Sequence, residues 1–403
     1  QGRKFRPNSW RILMKIGLVG KPNAGKSTFF TAATSATAQI GDYPFTTIDK
    51  NVGVAYVRKP CPSKELGLEP NPNNSLSIDG TRFIPIEVID VAGLVPGAHE
   101  GKGMGNKFLD DLRQADVLIQ IVDCSGKTDL EGNSVEDANP LEEVQFLKDE
   151  LNHWIGEIVV RNWSRSARAV ESGEKIEDFL SDRLAGLKFT REQVILSLRK
   201  ANISKPVMQW GSEEGLILAQ HLQNIGKPIV ISANKADISS KENIARMFEA
   251  SAITTASDYE LALKNATKAD LISYNSGDSD FSLNDKSQLN EDQTKALEKI
   301  RDFLKEYDST GVQNCIETAV LEKLNLISVY PVEDETHFTD GQGRVLPDAY
   351  LVPRESTAID LAYKVHTDIG DSFIRAIDCR TKRIIGKDYE LQDGDIIKIV
   401  AGS

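Results

Sequence analysis

The stretch Gly20 to Ser27, reading Gly-Lys-Pro-Asn-Ala-Gly-Lys-Ser, constrains this chain more than any other. It follows directly on an apolar run, Ile12 to Val19. A glycine, four residues and then Gly-Lys-Ser is the spacing of a phosphate-binding P-loop. The glycines let the backbone turn tightly and aim N–H groups at phosphate oxygens. A strand must deliver the loop and a helix must leave it, with the helix's positive end beneath the same oxygens. The spacing therefore predicts a buried parallel strand over the apolar run and a helix starting near Lys26. Lys26 is expected to reach the β- and γ-phosphates, and the Ser27 hydroxyl to ligate Mg2+. Gly20, Lys21, Pro22, Asn23, Ala24, Gly25 and Thr28 complete the expected nucleotide cradle.

Two further motifs sharpen this reading. Asp90-Val91-Ala92-Gly93 closes the strand-like run Phe83 to Ile89. Asp90 is expected to bind Mg2+ through water, and the Gly93 N–H to sense a γ-phosphate. Asp-x-x-Gly alone is an ordinary turn sequence; its place at a strand end downstream of a P-loop gives it weight. Asn234-Lys235-Ala236-Asp237 follows the run Pro228 to Ser232. A carboxylate at Asp237 can accept from guanine's N1–H and exocyclic amine. Adenine lacks both donors in that arrangement and would leave the carboxylate unpaired. Asn234 is expected to brace neighbouring loops, and the Lys235 stem to cover the base. Between the first two motifs, Tyr43-Pro44-Phe45-Thr46-Thr47 offers Thr46 or Thr47 as the residue that completes the Mg2+ shell. The glycine-rich stretch Gly93 to Gly105 suits a segment ordered by the γ-phosphate and released after hydrolysis.

The 403 residues leave room for two or three domains. A net charge of −12 argues against whole-surface attraction to nucleic acid, so no DNA partner is expected. No apolar stretch is long enough to cross a bilayer, so no membrane partner is expected. The first residues show no leader pattern, and a cytoplasmic location is expected. Cys61, Cys124, Cys315 and Cys379 lack metal spacing and are expected reduced.

After Asn139-Pro140, the residues Leu141, Val144, Leu147, Leu151, Ile155 and Ile158 form one helical seam. Ser164 to Gly173 reads as a linker, with more helix beyond it to about Leu198. Pro60 to Gly80 reads as an irregular excursion between two strands. The fold class expected is α/β: a P-loop domain with a mostly parallel three-layer sheet, an inserted helical arm and a small C-terminal domain. The expected boundaries are a tail over 1–13, the P-loop domain over 14–128 and 205–325, the insertion over 129–204 and the C-terminal domain over 326–403.

Together, Gly17 to Thr28, Tyr43 to Thr47 and Asp90 to Leu109 resemble the Obg superfamily of translation-associated GTPases. The layout resembles its YchF/Ola1-like branch. The intact Asn234-Lys-Ala-Asp237 is similar to that branch's archaeal and fungal sister group, for which GTP is the natural ligand. Bacterial and human members lack the intact motif and tend to prefer ATP. The resemblance also assigns Ala256 and Ser257 to the far side of the base loop. Ala358 to Gly370 and Leu391 to Ile397 resemble TGS domains, which implies a ubiquitin-like β-grasp and contact with a ribosome or its RNA. Residues 326–403 hold nine Lys/Arg and fourteen Asp/Glu, so such contact would need a small patch such as Lys364, Arg375, Arg380, Lys382 and Arg383.

The expected reaction is water attack on the γ-phosphate of GTP, giving GDP and phosphate. Many GTPases place a water-orienting Gln directly after Asp-x-x-Gly. Leu94 stands there and cannot orient water, so intrinsic turnover is expected to be slow. The resemblance implies a K+ site at the P-loop asparagine in some relatives, and Asn23 occupies that position. His99 lies in the glycine-rich segment as a candidate water-positioning residue. Lys26, Asn23, Gly93 and His99 are thus the candidate catalytic set. The alternatives are a nucleotide-binding scaffold with negligible turnover and an ATP-preferring relative.

Overall fold

The computed structural model describes residues 14–35, 51–91, 93, 97, 111–284 and 289–402. Its contacts divide it into two compact units. Of the described residues, those within 15–53 and 88–319 form one, and 14, 54–87 and 320–402 form the other.

The principal sheet is built from β1 (Lys15–Val19), β2 (Val52–Pro60), β3 (Leu76–Ile78), β4 (Thr81–Asp90), β5 (Val117–Asp123), β6 (Ile229–Asn234) and β7 (Ile253–Thr254). The order is β2-β4-β1-β5-β6-β7, with β3 on β4, and β8 (Ile272–Ser273) pairs with β9 (Ser282–Leu283) as a separate ribbon. Strands β1, β5, β6 and β7 run parallel, with Ile16 opposite Val117, Leu118 opposite Ile229, and Ser232 opposite Ile253. Every residue of β5 is buried. That is why its sequence, Val-Leu-Ile-Gln-Ile-Val-Asp, shows no alternation: a parallel strand covered on both faces needs apolar side chains on both. Parallel pairing brings the C-terminal ends of β1, β5 and β6 to one edge. The Val91 N–H donates to the Leu18 carbonyl at 3.2 Å, which brings the end of β4 to the same edge. Functional loops of open α/β sheets collect at this edge.

The inserted region holds helices Pro140–Val160, Trp163–Glu171, Ile176–Leu184 and Arg191–Ala201. Asn139 caps the first through its side chain on the Leu141 N–H, with Pro140 at the first helical position. Thr190 and Gln193 form a capping box on the last. The segment 164–173 is therefore helix for most of its length, not linker. Trp163 holds it: the ring stacks on Trp210 with centroids 5.3 Å apart and meets Phe179 edge-on at 6.2 Å, and its Nε1 donates to the Val207 carbonyl at 2.7 Å. Helix Ser212–Gly226 crosses helix Pro140–Val160 at Gly156 and Gly215, where the backbones touch: a Cβ on Gly215 would lie 3.0 Å from the Gly156 carbonyl oxygen. One apolar cluster runs from Val19 and Leu118 of the sheet through Leu147, Trp154 and Leu218 to Trp163 and Leu180. The inserted helices thus share a core with the sheet.

In the other unit, β10 (Leu326–Val332), β11 (Tyr350–Pro353), β12 (Phe373–Asp378), β13 (Arg383–Ile385) and β14 (Asp395–Ala401) form a second sheet in the order β11-β10-β14-β12-β13. Strands β10 and β14 are parallel and the other pairs antiparallel. Helix Ala358–Val365 joins its core through Ala358 and Leu361, against Ile327, Val329, Ala376 and Ile397. A sheet of this order carrying one helix is the β-grasp expectation. Strand β10 is buried along its whole length, with helix Ala358–Val365 in the core on Ile327 and Val329 and Arg82 over Tyr330. The stretch 60–80 is less irregular than its composition suggests. It holds a helical turn, Pro62–Leu66, and β3, both too short to leave a period in the sequence. Arg82 of β4 is fully buried in this unit. It donates to the Ser75 hydroxyl at 2.7 Å and to the Leu346 and Pro347 carbonyls at 2.8 and 3.1 Å, and lies over the Tyr330 ring.

Candidate nucleotide site

Three of the loops that leave the common sheet edge carry the sequence motifs. The P-loop follows β1, and helix Lys26–Thr34 begins at its end with Gly25 as the flanking residue. Gly25 has φ +90°, and a Cβ there would lie 2.4 Å from the Asn234 side-chain nitrogen. Both facts require glycine at this position. Gly20 is similarly confined, since its Cβ would meet the Ile121 carbonyl oxygen at 2.6 Å. The first turn of the helix carries no acidic side chain, so its unpaired N–H groups and positive end are left to an anion.

Lys26 Nζ pairs with the Asp90 carboxylate across the cradle, so the expected phosphate-binding lysine and the expected Mg2+-water ligand are in contact. Gly93 lies beside the loop: a Cβ on it would stand 3.8 Å from the Gly20 carbonyl oxygen. Ser27 is exposed at the helix start, and its carbonyl accepts from Thr31 Oγ1. Thr46, Thr47, His99 and Leu94 lie outside the described residues.

The guanine motif sits against the P-loop. Asn234 Nδ2 donates to the Ala24 carbonyl at 3.0 Å, and its Oδ1 accepts from the Ser257 N–H and hydroxyl at 3.2 and 2.8 Å. One buried amide thus joins the P-loop, β6 and the 254–258 segment. Lys235, at φ +60°, sends Nζ to the Asn23 carbonyl at 2.6 Å and to Asp123 Oδ2 at 2.9 Å. Asp237 is half-buried on the following turn, and burial raises its pKa above the ordinary carboxylate value. Ala256 is buried, with its N–H on the Thr310 carbonyl. Lys264, also buried, donates to the Ala32 and Ser35 carbonyls and so finishes the P-loop helix at its C-terminal end.

Other contacts of the constellation are marked by no motif. Lys21 enters the loop with its side chain buried; the ammonium donates to the Thr128 carbonyl at 2.6 Å and pairs with Glu143. Asp123, fully buried at the end of β5, accepts from the Ser125 and Thr128 hydroxyls and from Lys235. Burial alone would raise its pKa, but these hydrogen bonds outweigh it and hold the carboxyl below its usual value. Asn23 Nδ2 donates to the Gly132 carbonyl at 3.0 Å. The signal for Asp123 was available: like Asp90, it ends a strand-like run of mostly apolar residues. Nothing local marks Glu143, because acidic residues are common in any first helical turn.

The donors fit Mg2+ and nucleotide phosphate: a glycine-lined turn of N–H groups, a lysine, a hydroxyl at a helix start and a carboxylate. Among the described residues no three His, Cys, Asp or Glu side chains group as a metal site. Ser27 and Asp90 would therefore hold Mg2+ together with phosphate oxygens, and the ion would neutralise charge on those oxygens. Within the C-terminal sheet unit, two members of the expected basic patch are already engaged, Arg380 with Glu65 at 2.6 Å and Lys382 with the Glu335 carbonyl. Arg375 and Arg383 are exposed.

Comparison with known proteins agrees with this constellation. Residues 15–160 match the family described as 50S ribosome-binding GTPase, residues 232–334 the Obg-like GTPase YGR210-like, G4 motif-containing domain, and residues 338–401 the TGS domain. A GTP-binding protein of Methanocaldococcus jannaschii is 52% identical over 96% of this chain and 99% of its own. A GTP-binding protein of Schizosaccharomyces pombe is 34% identical over 85% of this chain and 88% of its own. The crystal structure of a GTP-binding protein from Pyrococcus horikoshii covers 96% of this chain and all of its own, with 38% identity and a TM-score of 0.78. The chain belongs to the Obg superfamily of P-loop GTPases, close to the YchF/Ola1-like proteins, and carries a C-terminal TGS domain.

Proposed function

We propose that this protein binds GTP and GDP with Mg2+, hydrolyses GTP slowly, and uses the difference between the two states to engage ribosomes. The observation that carries the base preference is the placement of the guanine motif. Asn234 and Lys235 are both bonded to P-loop carbonyls, so Asp237 is held at a fixed offset from the phosphate cradle. Lys26 would leave Asp90 for phosphate oxygens, freeing the carboxylate for a Mg2+-bound water. Asn23 stands at the position that helps bind K+ in some relatives, and the charge of such an ion would replace an arginine finger in neutralising the phosphate oxygens. The TGS domain supports a ribosomal partner.

A second reading has its own support. Relatives 26–28% identical over about 95% of this chain are named ribosome-binding ATPases. Competition of GTP and ATP for nucleotide-free protein separates the two. GTP is expected to win by at least about 100-fold, because a site built around a specific donor–acceptor pair rejects the analogue that lacks it. Asp237→Asn, which puts an amide donor before guanine's donors, is expected to erase the preference. Equal affinities in the wild-type protein overturn the guanine reading of Asp237, and tighter binding of ATP favours the ATPase reading. Single-turnover phosphate release in K+ and in Na+ then tests hydrolysis; none in either salt leaves a binding scaffold.

A further inference from the structure

The two lysines of the P-loop go to different partners. Lys26 meets Asp90, whereas Lys21 meets Glu143, a residue of the first turn of the first inserted helix. Lys21 and Glu143 are 4% and 5% exposed, so each charge depends on the other. Glu143 uses its second oxygen to accept the Asp123 N–H at 3.1 Å, and its carbonyl accepts Gln120 Nε2 at 2.7 Å. Asp123 holds Lys235, and Lys235 holds the Asn23 carbonyl. The contacts run from residue 21 through 143, 123 and 235 back to 23. The loop on the far side leaves no slack: Gly132, at φ +87°, lies so close to Pro22 that a Cβ on it would meet Pro22 Cβ at 2.8 Å.

We infer that Glu143 is a positioning residue: from the root of the helical insertion it holds the P-loop, through Lys21, in the shape that grips phosphate, so the insertion helps set nucleotide affinity. Removing the Glu143 charge leaves a buried ammonium with one carbonyl. An uncompensated buried charge is strongly unfavourable, so Lys21 turns out toward water and takes the loop backbone with it. This inference rests on the nucleotide reading above.

The charged groups facing Glu143 are Lys21 from the P-loop and Asp123 with Cys124 from the end of β5, with Lys235 behind Asp123. Hydrogen bonds keep the Asp123 carboxyl ionised, and burial pushes the Cys124 thiol up to about 11. Glu143 itself is raised by burial to about 7, with Lys21 opposing the shift. It is ionised above that value and protonated below it, so the grip on Lys21 weakens as pH falls through neutrality.

The test is the binding of a fluorescent GDP analogue to the full chain at pH 6 and pH 8, wild type beside Glu143→Gln. The ratio of the two affinities cancels the titration of the nucleotide's own phosphates. The ratio is expected near 1 at pH 6, where both side chains are neutral, and to favour wild type about tenfold at pH 8. A purely structural role gives a loss that does not change with pH, and a flat ratio overturns the inference. Should Glu143→Gln fail to fold, Lys21→Met with Glu143→Gln removes both buried charges, and the same slope is expected; its absence overturns the inference. Wild-type protein that binds no guanine nucleotide at either pH overturns the nucleotide reading itself.

Discussion

At the scale of single residues, the site depends on side chains that have no freedom to be anything else. Gly25→Ala forces a positive φ on a residue with a Cβ and drives that atom into Asn234. Such strain costs about 1–3 kcal/mol, so calorimetry is expected to show GDP binding weakened about 10- to 100-fold; a change below twofold would mean that the loop is built differently. Asp237 gives a pH signature. Its carboxyl must be ionised to accept from guanine, and burial has raised its pKa. The preference for GTP over ATP should therefore start to fade, as pH is lowered, while an ordinary Asp would still be fully charged. Competition assays between pH 7 and 4 check this, and a preference constant to pH 4 contradicts it. The P-loop, Asp90 and Asp237 were legible in the sequence because each is a fixed spacing tied to a strand end. The pairing of Lys21 with Glu143 was not: it joins residues far apart in the chain, and neither has a spacing that names the other.

Among the elements, the inserted helices explain what periodicity reveals and what it hides. Helix Pro140–Val160 announces itself because its buried face repeats over many turns. Helix Trp163–Glu171 reads as a linker because only Trp163 and Ala167 of its described side chains are buried, too few to set a period. Its order comes from the stack on Trp210 instead. The crossing of helices Pro140–Val160 and Ser212–Gly226 is equally invisible in the sequence, since two isolated glycines look like helix defects. Gly156→Leu should wedge the backbones apart and cost about 1–3 kcal/mol. Urea unfolding followed by tryptophan fluorescence is the check, with the midpoint expected to fall. An unchanged midpoint would show that the contact tolerates a side chain.

For the whole molecule, the P-loop architecture and the C-terminal sheet both followed from motif and pattern. The union of residues 54–87 with 320–402 did not, because it depends on long-range contacts that no local sequence signals. Lys59 reaches Asp393 at 2.5 Å, and Asp393 also accepts from the Ser328 N–H and hydroxyl at 2.9 Å. Burial would raise the Asp393 pKa, but these partners outweigh it and lower the value. A depressed carboxyl contributes stability above its unfolded pKa and loses it as pH falls through the folded one. Hydrogen-exchange protection over 54–87 and 320–402 should accordingly drop only as pH falls below the ordinary carboxylate range. Asp393→Asn should have lower protection at pH 7 and less further loss in acid. Identical acid profiles would remove Asp393 from the account.

The buried guanidinium of Arg82 sets a limit on how this protein could have been assembled in evolution. It belongs to a strand of the P-loop sheet, yet its hydrogen bonds end on the carbonyls of Leu346 and Pro347, 264 and 265 residues further along the chain. The tail module cannot be shuffled onto another GTPase, or trimmed from this one, without stranding a cation in oil. Residues 54–87 and 320–402 therefore have to change together.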